Sequence, residues 1–190
     1  MFRRGFKAWC ESIAIKYRQD FGLNPEDRFP PQLLSEKLGV LIWSPEDIPG
    51  LAEKDLAQLT KHDSSSWSAC TLRLPTADLI IVNSSHSAVR QTSSTMHELA
   101  HLILDHEPAR LDVSEMGHLL LHSYDSNQED EADWLSATLL VPREGLLRHI
   151  FQSHTVSSSA SHFGVSNKLL NWRKQMTGVE TQAGQRLRKE

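Results

Sequence analysis

The stretch "TMHELAHLILDH", Thr95–His106, carries three of the chain's ten histidines, with a glutamate between the first two. His97 and His101 are four residues apart, a spacing that places both imidazoles on one face of a helix. Two imidazoles so placed can bind one zinc ion, and Glu98 then stands beside the ion, able to take a proton from a water molecule. The H-E-x-x-H pattern therefore predicts a metal-dependent hydrolytic site on a helix.

An ordinary buried helix is the alternative, because the residues around the motif are apolar. However, Glu98 and two imidazoles are costly to bury in such a helix without polar partners. A metal ion supplies those partners, so the sequence favours the metal site. His106, five residues after His101, lies off the ligand face and is predicted to act as a cation near the helix C-terminus. The apolar neighbours are Met96, Leu99, Ala100, Leu102, Ile103 and Leu104.

A catalytic zinc ion commonly has three protein ligands and keeps one position for water, so a third ligand is needed. The stretch "NQEDEADWLSATLLVP", residues 127–142, predicts a second helix with an apolar stripe. Counted from Ala132 of this stripe, Glu129 lies about 60° to one side and faces inward, whereas Glu131 lies about 100° away on the flank. Asp133, one turn after Glu129, could accept the outer N–H of a metal-binding histidine. The alternative is that these acids only favour a helix N-terminus, which suffices for Asp130 and Glu131.

The two stretches together resemble the ImmA/IrrE family of metallo-endopeptidases, zincins of the gluzincin-like kind. The family pattern is H-E-x-x-H followed by E-x-E-A-N/D-x-x-A-x-x-L-L-x-P, and this chain has "HELAH" and then "EDEADWLSATLLVP". The segments "SEKLGV", "DLIIVN" and "RQTSSTMHELAH" are also similar, so the likeness covers roughly residues 30–145. Two departures are Met96, where a small residue is common, and Trp134 with Leu135 after "EAD"; neither removes a polar role.

The resemblance implies a zinc-dependent endopeptidase and a role for each matching residue. It implies that His97, His101 and Glu129 bind Zn²⁺ and that Glu98 is the general base. It also implies that Asp133 accepts a hydrogen bond from one of the metal ligands. It also implies a protein substrate, such as a helix-turn-helix repressor, and hence a part in the regulation of transcription.

The order of hydrophobic patterns predicts an α+β fold, rich in helices and with a small β-sheet. The resemblance implies that this is a zincin-like domain. Residues 1–150 are predicted to form the metallopeptidase domain, and residues 151–190 a basic helical C-terminal segment packed on the same domain. "DLIIVN" is a predicted buried strand that could pair with residues 66–74. The stretch between the two site helices is predicted to be irregular through Tyr124.

Composition predicts a cytoplasmic protein without a membrane partner. The 190 residues carry a formal net charge of −4, and the two cysteines, Cys10 and Cys70, form no CxxC pair. A disulfide framework is therefore not indicated, which suits a reducing compartment. No apolar run suggests a secretory signal or a membrane span.

A second donor to the developing oxyanion is usual in such sites. Tyr124 is the candidate donor, and His118 and His122 lie in the same segment between the site helices. The sequence leaves these three alternatives open. Five further histidines show no ligand spacing and are predicted to lie at the surface: His62, His86, His149, His154 and His162.

DNA binding is the rival function of a different class. The stretch "SSSASHFGVSNKLLNWRKQM", residues 157–176, has Ala160, Gly164 and Leu170 at spacings like those of a helix-turn-helix. Residues 151–190 also carry six Lys/Arg against two Glu, which fits phosphate contacts. A generic pair of helices has the same pattern, so this is the weaker hypothesis.

A third hypothesis keeps the zinc but removes catalysis, as in an antitoxin-like binding module with a structural metal. Glu98 argues against it, because a structural zinc needs no base beside it. Structural sites also usually close the fourth position with another protein ligand.

Overall fold

The computed structural model describes residues 2–107, 110–113, 119–122 and 125–187, and it confirms the helix-rich α+β fold. The sequence fixes several helix ends by ordinary capping chemistry. Gly39 ends the second helix in the left-handed conformation (φ 68°), which only glycine adopts without strain. Ser87 and Asp125 begin the two site helices, each with a side-chain oxygen that accepts a backbone N–H of the first turn. The described helices are α1 (Phe6–Asp20), α2 (Pro31–Leu38), α3 (Glu53–Ala57), α4 (Ala88–Ile103), α5 (Ser126–Leu140), α6 (Arg143–Phe151), α7 (Val156–Phe163), α8 (Asn167–Thr177) and α9 (Val179–Leu187).

A three-stranded sheet lies beside α4. Its strands are β1 (Leu41–Trp43), β2 (Ala69–Arg73) and β3 (Asp78–Val82), in the order β1-β3-β2. β1 runs parallel to β3, and β2 pairs with β3 in the antiparallel sense, so the predicted pairing of these two segments is confirmed. β2 is an edge strand, and this edge lies next to the motif helix.

The segment between the site helices contains a second, two-stranded sheet. β4 (Arg110–Val113) pairs antiparallel with β5 (Leu119–His122), with Arg110 opposite His122. The prediction of an irregular stretch through Tyr124 is therefore wrong over these eight residues. Strands of four residues are too short for the alternation of apolar and polar side chains to be recognised.

The hydrophobic core brings α4 and α5 together. Leu99 and Ala100 of α4 and Ala132, Leu135 and Leu139 of α5 are all fully buried. Each buried leucine of this kind contributes roughly 1.5–3 kcal/mol. α1 packs on the other side of α5, so α5 is the central helix of the fold. This packing holds the first turns of α5 against the third and fourth turns of α4.

The C-terminal end of α5 is closed by two arginines from distant helices. Arg18 of α1 donates from Nη1 to the carbonyl of Leu139 (2.7 Å) and from Nη2 to that of Leu140 (3.2 Å). Arg173 of α8 donates from Nε to the carbonyl of Val141 (3.0 Å). Both side chains are 0% exposed, and burial lowers the pKa of Arg18 to about 10, which leaves it protonated at neutral pH. The two cations satisfy carbonyls that lack helical partners and offset the negative end of the helix dipole.

The C-terminal segment packs on the rest of the chain. Trp172 of α8 meets Trp134 of α5 edge to face, with ring centroids 5.3 Å apart. Arg173 also pairs with Glu11 of α1 at 2.5 Å, and α9 packs on α6. The division of the chain at residue 150 stays a prediction.

Candidate metal centre

Three side chains from two helices converge at the site. Nε2 of His97 lies 3.0 Å from Nε2 of His101. Glu129, in the first turn of α5, brings Oε2 to 3.2 Å from His97 and Oε1 to 3.5 Å from His101. Among the residues that the structure describes, these three form a group whose ligand atoms could hold one metal ion.

The spacing of the three ligand atoms fits a tetrahedral metal ion. Zinc bonds to nitrogen and oxygen are about 2.1 Å long, which places neighbouring ligand atoms roughly 3.4 Å apart in a tetrahedron. The observed separations of 3.0, 3.2 and 3.5 Å surround this value. Two imidazoles and one carboxylate leave the fourth position for a water molecule or a substrate, as in catalytic zinc sites.

The outer nitrogen of His97 is held by Asp133. Nδ1 of His97 lies 2.9 Å from Oδ1 of Asp133, whose side chain is 71% exposed. Burial acts to lower the pKa of His97, but the hydrogen bond to Asp133 and the nearby carboxylates outweigh it, so the pKa is raised. The structure thus brings Asp133 to the back of a candidate ligand, the position that the sequence predicted.

The outer nitrogen of His101 is held by His106, which corrects a prediction. His106 was predicted only to favour the helix C-terminus as a cation, but it is buried and its Nδ1 lies 2.9 Å from Nδ1 of His101. The chain reverses at Asp105 (φ 52°), a residue type that tolerates this conformation, and the N–H of His106 then donates to the carbonyl of His101. Helical periodicity could not predict this contact, because His106 lies beyond the end of the helix.

Glu131 continues this chain of contacts. Its Oε2 lies 3.4 Å from Nε2 of His106, so the prediction that Glu131 only favours the helix N-terminus is incomplete. Burial, with the neighbouring His97 and His106, lowers the pKa of His101 to about 4. The ring of His101 is therefore neutral at pH 7, as a metal ligand must be.

Glu98 stands next to the ligands and is held by the sheet. Thr71 of β2 donates from Oγ1 to Oε2 of Glu98 at 2.5 Å. Burial raises the pKa of Glu98 despite the opposing effects of Thr71 and His97, which makes the carboxylate a better proton acceptor than an exposed one. Thr71 was missed in the sequence, because nothing in residues 66–74 indicates which side chain faces the motif helix.

Comparison with known families identifies the group to which this site belongs. Residues 52–173, more than half of the chain, match the family model of peptidase M78, described as the IrrE N-terminal-like domain. The chain belongs to the IrrE N-terminal-like family. No curated protein matches the chain.

Membership of the IrrE N-terminal-like family confirms the resemblance to ImmA/IrrE proteins and supports a metallopeptidase-type function with a protein substrate. The matched range begins at residue 52 rather than at the expected residue 30, and it extends beyond residue 145 to include most of α8. The family and the group of His97, His101 and Glu129 together indicate a metal ion. None of the described helices is long and apolar enough to cross a membrane.

The candidate oxyanion donors are Tyr124, His118 and His122. Tyr124 and His118 lie outside the described residues, and for His122 only the backbone is described.

Among the histidines predicted at the surface, His62, His154 and His162 are exposed. His86 is half-buried, and His149 is wrongly predicted, because it is only 4% exposed and stacks on Phe163.

Proposed function

We propose that this member of the IrrE N-terminal-like family is a zinc-dependent endopeptidase of the cytoplasm. Its proposed substrate is a regulatory protein, such as a helix-turn-helix repressor. The observation that carries the proposal is the position of Glu98, a half-buried carboxylate of raised pKa beside three side chains spaced for one metal ion. A base in this place serves hydrolysis and has no use in a structural metal site.

Each residue of the centre has one proposed task. His97, His101 and Glu129 would hold the ion. Bound Zn²⁺ supplies Lewis acidity, which lowers the pKa of a water molecule towards about 7 and polarises a carbonyl group. Glu98 accepts a proton from the water that attacks the scissile carbonyl and later donates it to the leaving amine. Thr71 keeps the carboxylate of Glu98 pointed at the cleft.

Two further groups keep the imidazoles in the required tautomer. When Nε2 of each ring faces the metal, the ring proton is on Nδ1. His97 then donates this proton to Asp133, and His101 donates it to Nδ1 of His106. The remaining proton of His106 is on Nε2 and faces Glu131. Such contacts fix ring orientation and strengthen metal binding.

The test compares Glu98→Gln with the unchanged protein, both loaded with zinc. Each is incubated with candidate repressors and with a peptide library made from a proteome, and fragments are identified by mass spectrometry. Loss of the base is expected to slow cleavage by about 10²–10⁴-fold, while the zinc content stays at one ion per chain. Glu144→Gln, which changes an exposed glutamate of α6, is the matched control. Equal cleavage by the Glu98→Gln variant, or a protein that binds no zinc, would overturn the proposal.

The DNA-binding alternative has less support in the described part of the chain. Of the basic residues of α8, Arg173 is buried and Lys174 pairs with Glu180 at 2.6 Å, which leaves Lys168 exposed. One exposed cation on the presumed recognition helix is few for phosphate contacts. Retention of the full chain on immobilised DNA, weakening as salt is added, would support DNA binding.

A further inference from the structure

Two cavities meet at the candidate metal centre and form one groove. The smaller, of about 360 Å³, is lined by polar residues that include Glu98. The larger, of about 640 Å³, lies between α4, α5 and α8. Ser93, His97 and Asp133 line both cavities, so a peptide lying over His97 has access to both.

The larger cavity, which we call the α5–α8 cavity, has an apolar interior. Ala137 and Leu140 of α5 are buried at its floor, and half-buried Leu169 and Trp172 of α8 form a wall. Ser136 also lines it, but its hydroxyl already donates to the carbonyl of Asp133. The interior therefore suits an apolar group, and its volume lies in the range of about 300–1,000 Å³ typical of ligand pockets.

The mouth of the α5–α8 cavity carries positive charge. Arg90 and Lys168 line it and are exposed to solvent. Arg90 donates to the hydroxyl of Ser68, which leaves its charge uncompensated by that contact. Asp133 is also exposed at this edge, but its carboxylate faces His97. A carboxylate of the substrate close to the apolar group would find two cations nearby.

We propose that the α5–α8 cavity is a specificity pocket of the proposed peptidase. It takes a long aliphatic or aromatic side chain from a substrate residue next to the scissile bond, and its mouth favours an acidic residue close by. This inference rests on the proposed function, because His97 and Asp133 connect the cavity to the metal centre. It assigns to α8, and so to the C-terminal segment, one wall of the substrate site.

The test uses hydroxamates, small metal-binding groups that report on the pocket without requiring cleavage. Acetohydroxamate has only a methyl group, whereas a matched compound carries a benzyl arm; affinities for the zinc-loaded protein are measured by calorimetry. Burial of the arm is expected to raise affinity about 10–100-fold. Ala137→Phe, which fills the floor, should remove this gain and leave the affinity for acetohydroxamate unchanged. Ala52→Phe, an exposed site elsewhere, is the control and should keep the gain.

A second variant guards against misfolding of Ala137→Phe. Leu169→Gln changes a half-buried wall residue to a polar one of similar length and should reduce the gain from the benzyl arm several-fold. If acetohydroxamate binds and the benzyl arm adds nothing, the pocket is wrong and the peptidase proposal stands. If acetohydroxamate itself does not bind the zinc-loaded protein, the metal centre fails and the pocket fails with it.

The charge at the mouth is tested with a third compound, in which a glutamate follows the benzyl arm. Lys168→Glu should weaken this compound by up to about 5-fold, since exposed charge pairs contribute little, and leave the uncharged benzyl compound unaffected. Added salt should reduce the difference. The same loss for both compounds, or no loss for either, would overturn the acidic preference.

Discussion

The two ends of α5 differ in the exposure, charge and partners of the side chains around them. In its N-terminal half Glu129 and the largely exposed Asp133 face His97 of α4, and the groove is open to solvent. At its C-terminal end Arg18 and Arg173 are fully buried and bind backbone carbonyls. One part presents partly exposed acids to the candidate metal centre, and the other binds buried side chains from two other helices.

The difference teaches how one helix can serve both chemistry and stability. A metal centre needs side chains within a few tenths of an ångström of their working positions, yet it must also admit a substrate. We call the C-terminal end of α5, bound by Arg18 and Arg173, the closed end, and the part that carries the metal centre the open end. We expect the closed end to supply the rigidity, so that the open end can stay half-exposed. Changes at the closed end should therefore unfold the protein, and changes at the open end should alter metal binding.

The largest expected effect is the loss of Arg18. Arg18→Ala leaves two buried carbonyls without a partner and a cavity beside them, so we expect a loss of about 3–5 kcal/mol in the free energy of unfolding. Urea unfolding followed by circular dichroism measures it, and Arg18→Lys provides a milder change if the alanine variant does not fold.

Arg148→Ala is the matched control for Arg18. Arg148 of α6 makes exposed ion pairs with Glu144 of the same helix and with Glu26, which lies between α1 and α2. Its loss should therefore cost less than about 1 kcal/mol. Equal destabilisation by the two alanine variants would contradict the view that the closed end carries the stability.

A smaller effect is expected at the open end from His106→Gln. His106 touches the back of His101, and loss of such a contact typically weakens metal binding about 10–100-fold. Zinc affinity, measured by competition with a coloured chelator, should fall while the unfolding free energy of the metal-free protein changes less than in Arg18→Ala. His62→Gln removes an exposed histidine and should leave the affinity unchanged. Unaltered zinc affinity in His106→Gln would show that His106 only fills space.

The smallest effect is expected from the cap of the open end. Asp125 accepts the N–H of Asn127 at 2.9 Å, and its replacement by alanine should cost about 1 kcal/mol. Asp55→Ala, at an exposed position of α3, serves as the comparison. If Asp125→Ala destabilised the protein as much as Arg18→Ala, the two ends of α5 would not differ in the way described.

The open end was predictable from the sequence because its information is local. The spacing of His97 and His101 is a property of one helix, and the inward direction of Glu129 follows from the periodicity of α5. His106 escaped prediction because a left-handed residue at Asp105 turns the chain back, and helical periodicity does not extend past a helix end. Thr71 escaped because strand register depends on pairing partners.

The closed end was not predictable, since its contacts span long separations in sequence. Arg18 meets Leu139 from 121 residues away. In the sequence Arg18 follows Cys10 and Ala14 at intervals of four, on the apolar stripe of α1, but nothing local indicates which groups it binds. Arg173 belongs to a basic cluster that suggests phosphate contacts. Only the packing of α1 and α8 around α5 shows that both guanidinium groups bind the carbonyls at the end of this helix.

The residues that match the family model leave out side chains that bind the C-terminal end of α5. Residues 52–173 begin after α1 and α2, and so exclude Arg18 and Glu11. A protein trimmed to those limits would lose a guanidinium from the end of its central helix and leave Arg173 without its carboxylate. We therefore expect more residues to unfold together than the family model matches, and we expect the N-terminal helix, which shares no motif with the site, to be among them.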